Sequence, residues 1–300
     1  SRLGHGSSLV SSGQGSHPCA ANGGDAGPTP RLAGVIGELV RQRALIWAFA
    51  QRDFATRYRS SALGWIWSLA QPLATLLIFA AVFSVVFRIQ APPLGSNPES
   101  SNFAAFLFTG LVTYNVVAGL INVSMLQLKG SGDLLKKVQF PAWAPVLGSG
   151  VVQLVQIFFE FVVLALVLLV LGNFSWTWIL ALPILLGAAF LGQGLGLLVA
   201  VPYVKYGDVH AMVTVALQAL YFLTPILYPL SFIEDVSSAL TNVVLWNPLT
   251  WYVESMHDVM YSLIVPTWWV IPALLAGGFA VFLLGLSAFT RSSRDIGELF

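Results

Sequence analysis

The chain has 300 residues, of which 57% are hydrophobic and only 9% are charged, and its formal net charge is +1. Soluble globular domains carry about 25% charged residues, so this composition excludes an ordinary soluble domain and predicts one polytopic membrane domain. The near-neutral charge gives no indication of a nucleic-acid partner, and the lone Cys19 excludes an intramolecular disulfide framework and a cysteine-cluster metal site.

The first 51 residues divide into a tail and an amphipathic segment. Residues 1–31 are rich in Gly, Ser, Pro and Asn without apolar periodicity, which predicts a disordered cytoplasmic tail. In residues 32–51, apolar side chains recur at helical spacing, with Glu38, Arg41 and Arg43 between them. This pattern predicts a helix in the membrane interface, with its arginines toward anionic headgroups. An ordinary amphipathic helix packed on other protein is the alternative.

The next stretch marks the start of the membrane-spanning region. Arg52, Arg57 and Arg59 are followed by Trp65 and Trp67 and then by a long apolar run. Cations followed by tryptophans are typical of the cytoplasmic end of a span. We place six spans of about the 20 residues that a bilayer requires, at about 66–88, 103–124, 143–171, 176–201, 209–228 and 268–290. Residues 32–300 therefore form a predicted all-α membrane domain with six transmembrane helices.

The distribution of basic residues predicts the orientation. With both termini in the cytoplasm, only Arg88 of the 14 Lys and Arg residues falls outside. The other 13 fall inside, where the positive-inside rule places them. We therefore expect a multi-pass membrane protein with both termini cytoplasmic.

Two connections between spans are more than simple turns. The inner connection, residues 125–142, contains a Gly-Ser-Gly break and then a basic, partly apolar stretch from Asp133 to Pro141. This stretch predicts a short helix that docks on a cytoplasmic partner. The outer connection, residues 229–267, is long and apolar, which predicts two half-helices that dip back into the bilayer where protein or water shields their ends.

Several catalytic signatures are absent from the sequence. None of the four lysines is followed by Ser or Thr, so the chain lacks a Walker A motif. It also lacks an Asp-x-Asp pair, paired catalytic carboxylates and a His cluster. We therefore expect no cofactor or metal on this chain, and ATP-driven transport requires a separate ATPase chain that binds ATP and Mg²⁺. A membrane-bound glycan-processing enzyme is the alternative from another class.

Polar and aromatic residues suggest a substrate path. Gln153, Gln156 and Glu160 share one face of the third span, and intramembrane ionisable groups normally face a bundle interior or a water-filled cavity. We interpret them as a polar wall of a translocation pathway, with a structural hydrogen bond between helices as the alternative. Aromatic rings near the outer side could stack on sugars or form an ordinary interfacial belt; they are Tyr221, Tyr228, Trp246, Trp251 and Tyr252.

Four groups of residues, taken in order, resemble a known family. They are Arg52-Asp53 with Arg57-Tyr58, Leu63-Gly64 and Gln71-Pro72; Leu134-Leu135-Lys136-Lys137-Val138 with Phe140-Pro141; Thr224-Pro225 with Tyr228-Pro229; and Asn247-Pro248-Leu249. Across residues 35–300 this order resembles the ABC-2 permeases, the membrane subunits of ATP-driven exporters, notably of cell-surface polysaccharides. Two positions depart from the family pattern and bear on the ATPase contacts: Ala142-Trp143 replaces a charged pair, and Gly207-Asp208 replaces Arg-Asp.

The resemblance implies an assembly and a substrate class. Two copies of the chain would form one channel above two copies of a separate ATPase. Within the family the chain resembles the permeases of cell-wall galactan exporters, whose substrate is a lipid-pyrophosphate-linked galactan. Teichoic acid, another O-polysaccharide or a hydrophobic drug are alternative cargoes, and an ion-coupled flippase is the alternative outside the family.

The resemblance also implies roles for two groups of residues. The coupling segment, which would contact the ATPase, consists of Asp133, Leu134, Leu135, Lys136, Lys137, Val138, Phe140 and Pro141. The arginines expected to attract the pyrophosphate or lipid headgroups are Arg41, Arg43, Arg52, Arg57 and Arg59. Ordinary positive-inside anchoring at the cytoplasmic surface is the alternative explanation for them.

Overall fold

A computed structural model describes residues 32–59, 66–86, 92–138, 140–234 and 238–292. The predicted tail, Trp65 and Arg88 lie outside the described residues. Helices α1 (Leu32–Arg41) and α2 (Arg43–Arg59) precede α3 (Trp67–Phe79) and a π-helical stretch (Ala80–Val86). An antiparallel hairpin of β1 (Pro93–Leu94) and β2 (Asn97–Ser101) leads to α4 (Phe103–Gly130), α5 (Gly132–Lys137) and α6 (Trp143–Val170).

The second half of the chain is also helical. A 3₁₀ turn (Trp176–Leu180) precedes α7 (Ala181–Lys205) and α8 (Val209–Leu223). The expected outer connection holds α9 (Ser231–Glu234), α10 (Ser238–Trp246), α11 (Pro248–Met256) and a π-helical turn (His257–Ser262), and α12 (Val270–Ser292) follows. The two nine-residue helices α10 and α11 occupy the segment in which half-helices were expected, and their insertion into the bilayer stays a prediction.

Four of these helices are long and apolar enough to cross a membrane, namely 103–130, 143–170, 176–205 and 270–292. Two further apolar helices, 67–83 and 209–223, are shorter, so the prediction of six spans is confirmed for four. Helix α8 ends five residues before the expected boundary at 228. The reason is local, because Pro225 disfavours a helical conformation at Thr224 and cannot donate a backbone hydrogen bond.

The long helices form a row in the order α12, α7, α4, α6 and α2, each packed on its neighbours. Helix α4 lies in the middle and is the most buried of them. Helix α3 packs on α6 and α4, while α11 packs on α4 and α7. The central position of α4 means that any polar side chain on it must find a partner or water inside the bundle.

Glycines allow α7 to approach two neighbours closely. Gly187 and Gly194 face Gly278 and Gly285 of α12, and a Cβ on Gly194 would lie 2.6 Å from the Val281 carbonyl oxygen. On another face of α7, glycines 192 and 196 lie against the backbone or side chains of α4. Small residues at such seams let helix backbones approach, which increases dispersion contacts between helices in lipid.

The two ends of the bundle differ in chemistry. At the basic end, α2 and the adjoining ends of α4, α6, α7 and α12 share an apolar cluster that includes Phe49, Trp143 and Phe289. Every lysine and arginine side chain in the described ranges lies on α1, α2, α5 or a helix end that meets this cluster. At the hairpin end, Asn173 is fully buried, and its amide donates to the carbonyls of Met260 and Tyr261 at 2.9 Å each.

The α7–α12 seam gives a testable expectation at two adjacent glycines. A Cβ at Gly278 would collide with the Gly187 carbonyl, whereas a Cβ at Gly277 would meet nothing within 4 Å. We expect Gly278→Ala to lower the free energy of unfolding by about 1–3 kcal/mol through overpacking. Gly277→Ala is the control, and we expect it to be neutral or to stabilise by up to about 1 kcal/mol. Thermal unfolding of the two purified variants in detergent would measure the difference, and equal midpoints would contradict the close seam.

Candidate functional site

The main polar feature of the described chain is a cavity of about 560 Å³. It lies between α3, α4 and α6, with one residue of α2 at its edge. We call it the polar cavity. Its lining residues are Arg57, Trp67, Ser68, Gln71, Asn115, Ala118, Gly119, Asn122, Gln153, Gln156 and Glu160.

Helix α6 supplies one wall of the polar cavity. The structure brings Gln153, Gln156 and Glu160 together there, as their spacing of three and four residues predicts. At 1.5 Å per residue, Gln153 and Glu160 lie about 15 and 25 Å from the start of α6 at Trp143. The wall therefore lies around the middle of the 28-residue helix α6.

Helix α4 supplies the facing wall, which the sequence analysis missed. Asn115 and Asn122 lie seven residues apart on one helical face, with Gly119 between them. The Asn115 amide donates to a Glu160 carboxylate oxygen at 3.0 Å. A Cβ at Gly119 would lie 2.5 Å from the Gln153 amide nitrogen, so this glycine leaves room for the Gln153 side chain. The sequence does contain a pattern that could have predicted this wall: Asn, Gly and Asn recur at positions i, i+4 and i+7 of the second span.

Helices α3 and α2 supply the remaining lining residues of the polar cavity. The Gln156 amide donates to the Ser68 carbonyl at 3.3 Å, which ties α6 to α3. Trp67 is exposed and presents an indole ring at the edge of the cavity. Arg57, near the end of α2, is also exposed and lines the same space.

The chemistry of the polar cavity suits a large polar, uncharged ligand. Its volume falls in the usual range of ligand pockets, about 300–1,000 Å³. Side-chain amides offer both donors and acceptors of hydrogen bonds, which matches hydroxyl groups. No group of three His, Cys, Asp or Glu side chains that could hold a metal occurs in the residues described. The arrangement supports binding and passage of a polar molecule.

The expected coupling segment has two faces in the structure. Leu134, Leu135 and Phe140 are half-buried and pack on the apolar cluster of the basic end, where the rings of Phe140 and Phe49 lie 5.2 Å apart. These apolar side chains therefore contact the chain's own core, and contact of the segment with an ATPase stays a prediction. The exposed face consists of Asp133, Lys136, Lys137 and Val138, and Pro141 is half-buried.

The aromatic residues expected at a sugar exit do not form one surface. Tyr252 is only 3% exposed, and its hydroxyl donates to the Leu274 carbonyl at 2.7 Å, so its ring belongs to the core beside α12. Trp246 is 87% exposed, whereas the Trp251 indole donates to the Leu245 carbonyl at 3.0 Å. The structure therefore contradicts a stacking role for Tyr252, whereas Trp246 and Trp251 are both exposed.

The two tyrosines of the expected exit lie on or just after α8. The Tyr221 ring packs edge-on against Tyr114 of α4 at 5.3 Å, and the Tyr228 hydroxyl donates to the Phe222 carbonyl at 2.9 Å. Both rings are half-buried. These contacts fix the position of the end of α8. Neither ring lines the polar cavity.

The arginines proposed for headgroups lie along α1 and α2. Arg41, Arg43, Arg52 and Arg57 are exposed, and Arg59 is the last residue of α2. Only Arg57 among those four lines the polar cavity.

Comparisons with known proteins connect this geometry to a family. A family model described as "ABC-2 type transporter" matches residues 44–261. The O-antigen export system permease protein RfbA of Myxococcus xanthus is 29% identical over 269 residues, which cover 88% of this chain and 98% of that protein. RfbA of Klebsiella pneumoniae is 25% identical, covering 85% of this chain and 94% of that protein. The polysialic acid transport protein KpsM of Escherichia coli is 23% identical, covering 73% and 82%.

Proposed function

The chain belongs to the ABC-2 type transporter family, and we propose that it is the membrane-spanning permease subunit of an ATP-driven exporter of a cell-surface polysaccharide. The observation that carries this proposal is the polar cavity, lined by amides, inside a bundle of apolar helices. The names of the relatives, which refer to O-antigen and polysialic acid, support a polysaccharide as the cargo.

We further propose that the cargo is lipid-linked, with galactan as the preferred glycan. Two copies of this chain form the channel, and two copies of a separate ATPase bind ATP and Mg²⁺ below it. Both termini and the basic end face the cytoplasm, which agrees with the clustering of described cations at that end.

The polar cavity is the proposed point of glycan contact. Sugar hydroxyls can exchange hydrogen bonds with Asn122, Gln153 and Gln156 in the way they do with water. The Trp67 ring offers an apolar face of the kind that packs on a sugar ring. Several similar amides suit a glycan chain that moves through the cavity. Each hydrogen bond contributes only about 0.5–1.5 kcal/mol, so the glycan can exchange one amide partner for the next.

Arginines at the basic end are the proposed site of the lipid-linked phosphates. The guanidinium group matches phosphate geometry and stays charged. Arg57 is the first candidate because it lines the polar cavity, while Arg41, Arg43, Arg52 and Arg59 attract anionic groups to the surrounding surface.

Coupling to the ATPase is proposed to use the exposed face of α5. Lys136 and Lys137 lie on that face, and the buried side of the same segment touches α2 through the Phe140–Phe49 contact. A displacement of α5 would therefore act on α2, which carries Arg57 to the polar cavity. ATP binding can shift the permease only through contacts that differ between the two nucleotide states.

Other cargoes and mechanisms make different predictions. A teichoic acid, another O-polysaccharide or a drug would retain the ATPase partner but change the compound that accumulates when the chain is depleted. An ion-coupled flippase or a glycan-processing enzyme would work without an ATPase. Co-purification of an ATPase, together with the identity of the accumulated compound, separates these alternatives.

The proposed glycan contact can be tested on α6. We expect Gln153→Leu combined with Gln156→Leu to lower the export rate roughly tenfold, since two hydrogen bonds of about 0.5–1.5 kcal/mol are lost. The lipid-linked glycan that accumulates in the cytoplasm and the glycan at the cell surface would be measured together. Leu166→Met, an exposed residue on the same helix outside the cavity, is the control. Normal export by a folded double variant would contradict the proposed contact.

The two faces of the coupling segment give a second test. We expect Lys136→Glu with Lys137→Glu to leave the permease folded but to weaken ATPase association roughly tenfold or more through reversed charges. Leu135→Asp should instead destabilise the permease itself, because it places a charge in the apolar cluster. Detergent thermal unfolding and ATPase co-purification distinguish the two effects. Full ATPase binding by the double Glu variant would contradict the assignment of the exposed face.

A further inference from the structure

Three neighbouring apolar cavities follow the side of α6 that faces away from the polar cavity. The first, of about 400 Å³, lies between α2 and α6 and is lined by Trp47, Phe54 and Val151 among others. The second and third, of about 220 and 200 Å³, lie between α6 and α7. Val151 lines both the first and the second, and Leu154 lines both the second and the third. Together they form one groove, which we call the α6 groove.

The lining of the α6 groove favours hydrocarbon over water. Its only polar lining residues are Gln51 and Gln193, and the Gln193 amide already donates to the Ser124 hydroxyl at 3.0 Å. A bound water needs about three polar partners, which this lining does not provide. Large apolar side chains face the groove, and Trp47 is 58% and Phe158 60% exposed in the described structure.

The α6 groove is long enough to take the hydrocarbon depth of one bilayer leaflet. Along α6 it extends from Leu147 to Phe161, and fourteen residues of helix span about 21 Å. The hydrocarbon core of a bilayer is about 30 Å thick, so one leaflet is about half of that. A single lipid chain from the leaflet at the basic end therefore fits the groove along its axis.

Two arginines of α2 share a helical face with residues that line the α6 groove. Arg43, Trp47, Gln51, Phe54 and Arg57 follow one another at intervals of three or four residues, so they share one face of the helix. The three middle residues line the groove. Both arginines are exposed, and guanidinium groups bind phosphate well. Arg57 also lines the polar cavity, whereas Arg43 lies outside that cavity, one helical turn before Trp47 on the side of α2 that faces the groove.

We infer that the α6 groove binds one acyl chain of an anionic phospholipid from the leaflet at the basic end, with the phosphate of its headgroup at Arg43. The chain fills the space beside α2 and between α6 and α7. The lipid thus supports α2, the helix that connects the coupling segment to the polar cavity. Binding of this lipid does not depend on which compound the protein exports.

Photo-crosslinking of purified permease–ATPase complex in nanodiscs tests the inference. One sample contains phosphatidylglycerol with a diazirine in its acyl chain, and the other contains phosphatidylcholine with the same chain. Mass spectrometry locates the adducts. We expect the adducts to concentrate at residues 151–161 and 182–190. The adduct yield should be about fivefold higher from phosphatidylglycerol, because one cation near the membrane surface attracts an anionic headgroup about that strongly. Arg43→Gln should remove this preference, whereas Arg291→Gln, an exposed cation on α12, should keep it.

A blocking variant tests the position of the chain. Val151→Trp places a large ring where the first two cavities join, and we expect it to lower the adduct yield in the groove about tenfold. Leu186→Trp blocks the groove from α7 in case the first variant does not fold. Val170→Trp, at an 85% exposed position on α6, is the control.

Three results would overturn the inference. The first is an adduct yield spread evenly over α6, including residues near Val170. The second is an equal yield from the two phospholipids in the parental protein. The third is a crosslink between cysteines introduced at Phe158 in two copies of the chain, since that result would mean that a second copy covers the groove.

Discussion

Amide and carboxyl side chains can exist inside an apolar helical bundle only where they find partners or water. Helix α4 lies at the centre of the row of helices and carries Asn115 and Asn122 on one face. The Asn115–Glu160 and Gln156–Ser68 hydrogen bonds join α4, α6 and α3 around these groups. The polar cavity is the arrangement that satisfies this constraint, and the positions of the three helices depend on it.

The remaining helices pack differently on the two sides of α4. The glycine seam holds α7 against α12, and α7 holds α4 through glycines 192 and 196. On the opposite side, α2 is attached to α6 and touches Phe140 through Phe49. In the proposed mechanism, α2 transmits the movement of the coupling segment to the polar cavity.

Local patterns predicted the helices and one wall of the site. The apolar runs located α4, α6, α7 and α12, and the spacing of Gln153, Gln156 and Glu160 predicted their common face. Features that depend on the neighbouring element were missed or wrong. Leu135 and Phe140 looked available to a partner and Tyr252 looked available to sugars, but each contacts another part of the chain. Exposure depends on tertiary packing, which a single sequence pattern does not contain.

In the proposed mechanism, the glycan passes along the polar cavity while the ATPase hydrolyses ATP. Site-specific photo-crosslinking from α3 tests it most directly, with benzoylphenylalanine at Gln71, which lines the cavity, or at Leu73, which does not and is exposed on the same helix. The account predicts a glycan adduct at position 71 that requires an active ATPase, and little adduct at 73. Equal adducts at both positions, or none at 71 during normal export, would contradict it.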